Sequence, residues 1–289
     1  MKKMFMAVIA LMMTISASAQ FYIYFSDGTV AKVDSISMIA PAEPEQPEPS
    51  VGIGVFSVAE GKTVTFSKGN LQYHPANDEW RFAANQADYV DSANSNISAT
   101  YNGWIDLFGW GTGNAPTKSS ESYSDYQTFV DWGTNKIGDD APNTWRTLTK
   151  DEWVYLFNTR TNASSLYGVA QVNGVNGMVV LPDNWTCPSG VTFKSGLHPE
   201  YVDDYSVYQS FTTEQWSKME QAGAAFLPAS GYRRGTDVGS VGYDGRYWSS
   251  TEYDEDIAYR VYFGSDELSP QGGLCRFDGM SVRLVKDME

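Results

Sequence analysis

The sequence predicts an α+β fold in which one main domain of short mixed strands, two main helices and long loops follows a small β-hairpin unit. Three observations lead there. Short apolar-rich runs between residues 55 and 82 are separated by Gly-, Pro- and Asn-containing breaks, the pattern of brief strands joined by tight turns. Two helix starts carry capping boxes, Thr149-Lys150-Asp151-Glu152 and Thr212-Thr213-Glu214-Gln215. Near the C-terminus, three framework patches (246–251, 258–263 and 279–285) alternate with polar segments.

Taken in order, Phe21 to Phe25 reads as a strand, Ser26-Asp27-Gly28 as a turn, and Val30 and Val33 as the returning strand. A lone hairpin is marginal in water, so this unit should pack on something or end a stalk. Residues 41–50 are proline- and glutamate-rich, a composition that extends as a semi-rigid spacer and cannot enter a core. The main domain therefore begins at Val51. Val55–Val58, Val64–Phe66, Leu71–Tyr73 and Trp80–Phe82 are its first strands. Asn102 to Gly111 is dense in aromatics and glycine, and residues 111–144 read as long surface loops because they are polar and lack periodicity. After Thr149, Trp153, Leu156 and Phe157 form one apolar stripe; after Thr212, Trp216, Met219 and Ala222 do the same, with Gly223 as terminator. Gly177–Leu181 and Ala224–Leu227 read as buried strands. Trp104, Trp110, Trp153, Trp248, Val261, Phe263 and Val282 are expected in one core.

Lys2-Lys3, the apolar run Met4–Ile15 and Ala17-Ser18-Ala19 read as a signal peptide over residues 1–19, which directs the chain to the cell surface or exterior, or leaves it in the periplasm. The apolar run is too short for a membrane span, which needs roughly 20 residues. The whole chain carries a formal charge of −15; removing the two lysines of the leader makes it −17. Such an acidic chain repels phosphate backbones and disfavours nucleic acid as a partner. Cys187 and Cys275, 88 positions apart, are able to pair in an oxidising compartment only if geometry brings them together.

Five motifs stand in one order: Trp145-Arg146-Thr147-Leu148-Thr149, Gly177 to Pro182, Ala225 to Arg233, Tyr247-Trp248-Ser249-Ser250, and Ser281 to Val285. In these, residues 51–289 resemble the major paralogous domain family of secreted bacterial proteins, related to the sulfatase-modifying-factor (formylglycine-generating-enzyme-like) branch of the C-type lectin-like fold. The resemblance implies a C-type lectin-like domain whose first strands pair with a last strand at Val282–Val285. The C-terminal layout also resembles the variable proteins of diversity-generating retroelements, which display binding residues on this fold. Sulfatase-modifying enzymes depend on two reactive cysteines close in sequence. Here the two are distant, and Cys187 has no basic neighbour in sequence to lower its thiol pKa.

No catalytic motif stands out. His74 and His198 each precede proline in turn-like contexts, no nucleophile-elbow sequence is present, and the acidic pairs lack the spacing of a calcium loop. The expectation is therefore a non-enzymatic protein without cofactor or metal, which recognises a protein or glycan at a cell surface through its C-terminal loops. An envelope- or fimbria-associated assembly protein is the leading alternative, and an enzyme of the modifying-factor branch the third. Along 259–263, Val261 and Phe263 share a face with Tyr259, which leaves Arg260 and Tyr262 on the other. Tyr and Arg are the residue types enriched in binding hot spots. The candidate contact residues are Tyr253, Asp254, Glu255, Asp256, Arg260, Tyr262, Asp266, Glu267 and Asp278, on loops 252–256 and 264–278 and the strand between them.

Overall fold

The structure, a computed structural model, describes residues 21–24, 30–33 and 54–288. The signal-peptide residues, the Ser26–Gly28 turn and the proline-rich segment 41–50 lie outside them. The chain divides into two units, Met1–Pro49 and Ser50–Glu289. In the first, strands β1 (Phe21–Tyr24) and β2 (Val30–Val33) pair antiparallel, with Phe21 opposite Val33 and Tyr24 opposite Val30.

The second unit opens with β3 (Phe56–Ala59), β4 (Lys62–Phe66), β5 (Leu71–His74) and β6 (Glu79–Phe82), within two residues of the expected runs. Helix α1 (Lys150–Val154) follows a long stretch of single turns. Next come β7 (Tyr167–Val172), β8 (Val175–Val180), β9 (Ser210–Phe211), helix α2 (Thr213–Gln221) and β10 (Ala225–Pro228). The remaining strands are β11 (Tyr232–Arg234), β12 (Asp237–Gly239), β13 (Gly245–Glu252), β14 (Ile257–Phe263), β15 (Leu268–Cys275) and β16 (Val285–Met288). The result is an α+β unit of small open sheets.

Both helix starts form as their sequences dictate. Thr149 and Thr212 each accept the backbone N–H three residues on, while Glu152 and Gln215 reach back to the cap's own N–H. Beyond Val154 the first helix widens into a π turn, Tyr155–Thr159, yet Trp153, Leu156 and Phe157 stay buried on one side. The second buries Trp216 and Met219, but Ala222 is exposed because the helix has already reached its C-cap there. Gly223 then turns the chain at φ +90°, a conformation that costs glycine little.

Two ladders organise the C-terminal part of the chain, and the first ties it to the opening strands of the unit. The last strand, β16, pairs with β4, with Val285 opposite Phe66 and Met288 opposite Thr63. Just before it, the carbonyls of Leu284 and Val282 accept from Ser67 and Leu71. The pairing thus spans Val282–Met288, with the regular strand beginning at Val285 and extending beyond the expected segment. The meander β13–β14–β15 forms the second ladder, and it corrects one expectation. Residues 264–278 are not one long loop, since 268–275 form its third strand.

The apolar residues form three clusters instead of one core, because the sheets are covered on both faces. Strand β13 sends Tyr247 to the side of Trp153, Val261 and Phe263 and its neighbour Trp248 to the side of Trp110 and Val282. The sheet β10–β8–β7–β9 divides likewise. Met178, Val180 and Leu227 face the first cluster, while Val179, Phe226 and Val172 face α2 through Trp216 and Met219. Trp104, expected in the core, is half-exposed. Its ring is covered by the Arg81 guanidinium at 3.6 Å and the His74 ring edge at 5.1 Å. Nor are residues 111–144 all surface loop. Tyr126, Trp132 and Ile137 are buried although no helical or strand period announces them, since single turns place them one by one.

One buried carboxylate ties this irregular region down. Asp106 accepts from the Val90 N–H and the Asn94 side-chain amide, both at 2.8 Å, and Asn94 in turn accepts from the Asp106 and Leu107 N–H groups. Burial outweighs these hydrogen bonds and pushes the Asp106 pKa up to about 6. The folded state therefore holds this proton where the unfolded chain releases it. The contribution to stability is complete below the unfolded pKa, near 4, and is lost as pH rises through about 6. Between pH 4 and 7 the wild type is expected to lose about 2 kcal/mol relative to Asp106→Asn. Denaturation midpoints of both proteins across that range measure it, and a constant difference would refute the assignment.

Candidate functional site

Strand β14 carries the centre of the expected site, and its alternation is as anticipated at one end. Val261 and Phe263 are fully buried, while Arg260 and Tyr262 emerge on the other face. Tyr259 departs from the pattern. The β13–β14 register shifts between Trp248 and Glu252, and the β14–β15 register between Arg260 and Tyr262. Such irregularities re-aim side chains. Ala258 is buried and Tyr259 half-exposed, its ring 5.0 Å from that of Tyr253.

On the outward face, Arg and Tyr interleave. Tyr262 lies directly opposite Arg246 on β13. The Arg246 guanidinium sits 4.1 Å from the Tyr232 ring and 5.7 Å from the Tyr262 ring, and Arg260 sits 4.8 Å from Tyr262 on its other strand neighbour's side. Asp244 fixes Arg246 with two hydrogen bonds of 2.9 and 3.1 Å. Among the described residues, no carboxylate does the same for Arg260, whose buried Nε and Nη1 atoms have no hydrogen-bond partner there. Burial, reinforced by the nearby Arg246 charge, pulls the Arg260 pKa down to about 10. The Tyr262 hydroxyl is pushed up, first by burial and then by the Asp244 charge.

The turn after β14 and two further loops border this face. Asp266 and Glu267 are exposed there, and the Glu267 carbonyl accepts from the Gly264 N–H. Ser265 anchors residues 198–202 through its carbonyl to His198 and its hydroxyl to the Val202 N–H. Tyr201 and Tyr243 are exposed at 59% and 49%, far more than most tyrosines in this chain. The buried Tyr205 links their loops by donating to the Tyr243 carbonyl at 2.6 Å. Its hydroxyl is pushed up, first by burial and then by the Asp244 charge. Tyr201, Tyr232, Tyr243 and Arg246 thus join the site although the sequence reading passed over them. The Tyr-Asp clusters at 201–205 and 243–246 were the available signal.

The nine expected residues fall in three places. Arg260, Tyr262, Asp266 and Glu267 gather as described. Tyr253, Asp254, Glu255 and Asp256 occupy the turn at the other end of β14, so the seven-residue strand sets them about 20 Å from Asp266 and Glu267, with Arg260 and Tyr262 in between. Within that turn, Asp254 accepts from the Asp256 and Ile257 N–H groups, and the Glu255 carbonyl accepts from Gln127. The third place removes Asp278 from the site. Its carboxylate is fully buried and takes a two-point ion pair from Arg234, at 2.8 and 2.9 Å. Arg234 comes from 44 residues away in sequence to neutralise it.

Two other arginines near this sheet are structural. Arg276, inside the segment read as loop, is buried and reaches the Asp254, Ile257 and Tyr126 carbonyls, the Glu252 carboxylate and the Trp110 face. Arg233 is buried against the carbonyls of Leu107, Lys118 and Gly235. Cys187 and Cys275 are free thiols, the first exposed and the second half-buried. Among the described residues, no three His, Cys, Asp or Glu side chains gather as a metal site, and no helix is long and apolar enough to cross a membrane. Compared with known proteins, the chain matches no family model, no curated protein and no solved structure.

Proposed function

We propose that this is an exported, non-catalytic binding protein whose larger unit is a C-type lectin-like domain, and that it recognises a surface protein or glycan through the Arg-Tyr face of β13 and β14. The observation that carries this reading is Arg260. A half-buried guanidinium with two buried nitrogens left without partners costs folding energy, and such frustration concentrates at functional sites. Around it, Tyr201, Tyr232, Tyr243 and Tyr262 offer rigid amphipathic contact area at low entropic cost. The pairing of β16 with β4, which closes the domain on itself, supports the fold resemblance. The long separation of the two free cysteines argues against the modifying-factor chemistry.

The combined substitution Arg260→Ala/Tyr262→Ala/Asp266→Ala tests this. Removing a guanidinium that lacks partners relieves a desolvation cost, which offsets lost packing around Tyr262, so the melting temperature is expected to stay within a few degrees. Attachment to the bacterial or host surface that the wild type binds is expected to disappear. Full attachment by a folded variant would overturn the reading, as would collapse of the fold.

A further inference from the structure

A cleft of about 750 Å³ shares no residue with the Arg-Tyr face. Its volume falls within the range of small-ligand sites, roughly 300–1,000 Å³. One wall is aromatic. The half-buried Trp145 meets Phe82 edge-on at 5.0 Å, and its Nε1–H donates to the Asp140 carboxylate at 2.9 Å, so the indole is held in a set orientation. The other walls bring together Lys68 just past β4, Arg81 on β6 and Lys286 on β16.

Those three cations are unusual in this chain, which has 35 acidic side chains against 20 basic ones. Among the described residues none of the three forms an ion pair. They share this with Lys118, Lys136, Lys194, Arg233, Arg260 and Arg283, so what sets them apart is their gathering in one cleft. Arg81 is nonetheless oriented, by a 2.9 Å bond from its Nε to Gln72 and by stacking on Trp104. An aromatic wall suits the C–H face of a pyranose ring. Three unpaired cations against two lining carboxylates, Asp139 and Asp140, leave a net positive cleft that suits a carboxylate, and Asp140 offers an acceptor for hydroxyls. The acidic remainder of the protein does not cancel this local preference, because charges beyond about 8 Å are screened at physiological salt.

We propose that this cleft binds a carboxylated saccharide, with a uronate as the minimal unit. Titration calorimetry of the full chain with oligogalacturonate, and with the same oligosaccharide methyl-esterified, tests it. Saturable binding of the acid form is expected, weakened at least tenfold by esterification and weakened further by added salt. Lys68→Gln/Lys286→Gln changes two exposed side chains and should leave the fold intact, yet it is expected to reduce affinity at least tenfold. The Arg260/Tyr262/Asp266 triple variant is expected to bind the saccharide normally, which separates this cleft from the Arg-Tyr face. Absence of saturable binding, equal binding of the ester, an unaltered affinity in the lysine double variant, or loss of binding in the triple variant would each overturn the proposal.

Discussion

Replacing Trp153 with alanine is expected to lower folding stability by about 3–5 kcal/mol, the range for truncating a large aromatic in a core that relaxes only in part. Trp153 has no exposed surface; its ring stacks on Phe157 at 6.0 Å and lies 5.9 Å from Phe66. It therefore joins the first helix to the β4–β16 ladder, and the cavity would open where the two ends of the domain meet. Among the described residues its buried Nε1–H has no partner, so the indole contributes by shape and area. Trp153→Phe, which removes that orphaned donor while keeping an aromatic ring, is expected to cost clearly less than alanine. Denaturant midpoints at constant slope decide the matter. A midpoint unchanged by the alanine substitution would show that this residue does not anchor the core.

Arg276→Ala is expected to destabilise by about 3 kcal/mol, because it removes a fully buried guanidinium that packs on Trp110, leaves the buried Tyr126 carbonyl without that donor and unties the Asp254 and Ile257 carbonyls. The guanidinium is the common donor to the Asp254 and Ile257 carbonyls of the β13–β14 turn and to the Tyr126 carbonyl of the irregular 111–144 region. Its loss should free that turn as well as weaken the whole. Hydrogen exchange is expected to accelerate most at residues 253–257 and around Tyr126. Arg276→Lys is not expected to rescue, since one ammonium cannot reproduce a planar fork that donates in several directions while covering Trp110. Wild-type exchange at the turn in either variant would place the organising contact elsewhere.

These two residues show different degrees of legibility. Trp153 was legible because its neighbours encode it: a capping box opens the helix at Thr149, and Leu156 and Phe157 continue the stripe. Arg276 was not, because an isolated arginine among Gly, Leu, Cys and Phe carries no local mark of burial. The same holds for Asp278, offered as a contact residue on its charge and found sealed against Arg234. For the site, Arg260 and Tyr262 followed from strand alternation, whereas Tyr201, Tyr232, Tyr243 and Arg246 reach them from segments with no sequence relation to β14.

Local sequence thus specifies what lies within one turn or one alternation: helix starts, the short N-terminal strands of the main domain, the face that Val261 and Phe263 bury, and the acidic balance. These depend on backbone groups and side chains only a few residues apart, so a local pattern specifies them even though packing supplies most of their stability. Tertiary structure alone decided that Leu268–Cys275 is a strand despite its glycines, because pairing with β14 supplies the hydrogen bonds its own composition does not favour. It alone decided that the apolar residues divide among three clusters, since alternate residues of one strand serve different layers only once both faces are covered. And it alone placed the charges. Whether an Arg or Asp is a buried tie, a frustrated contact or an open cation in a cleft depends on which partner arrives from tens to hundreds of residues away, and no local pattern encodes that arrival.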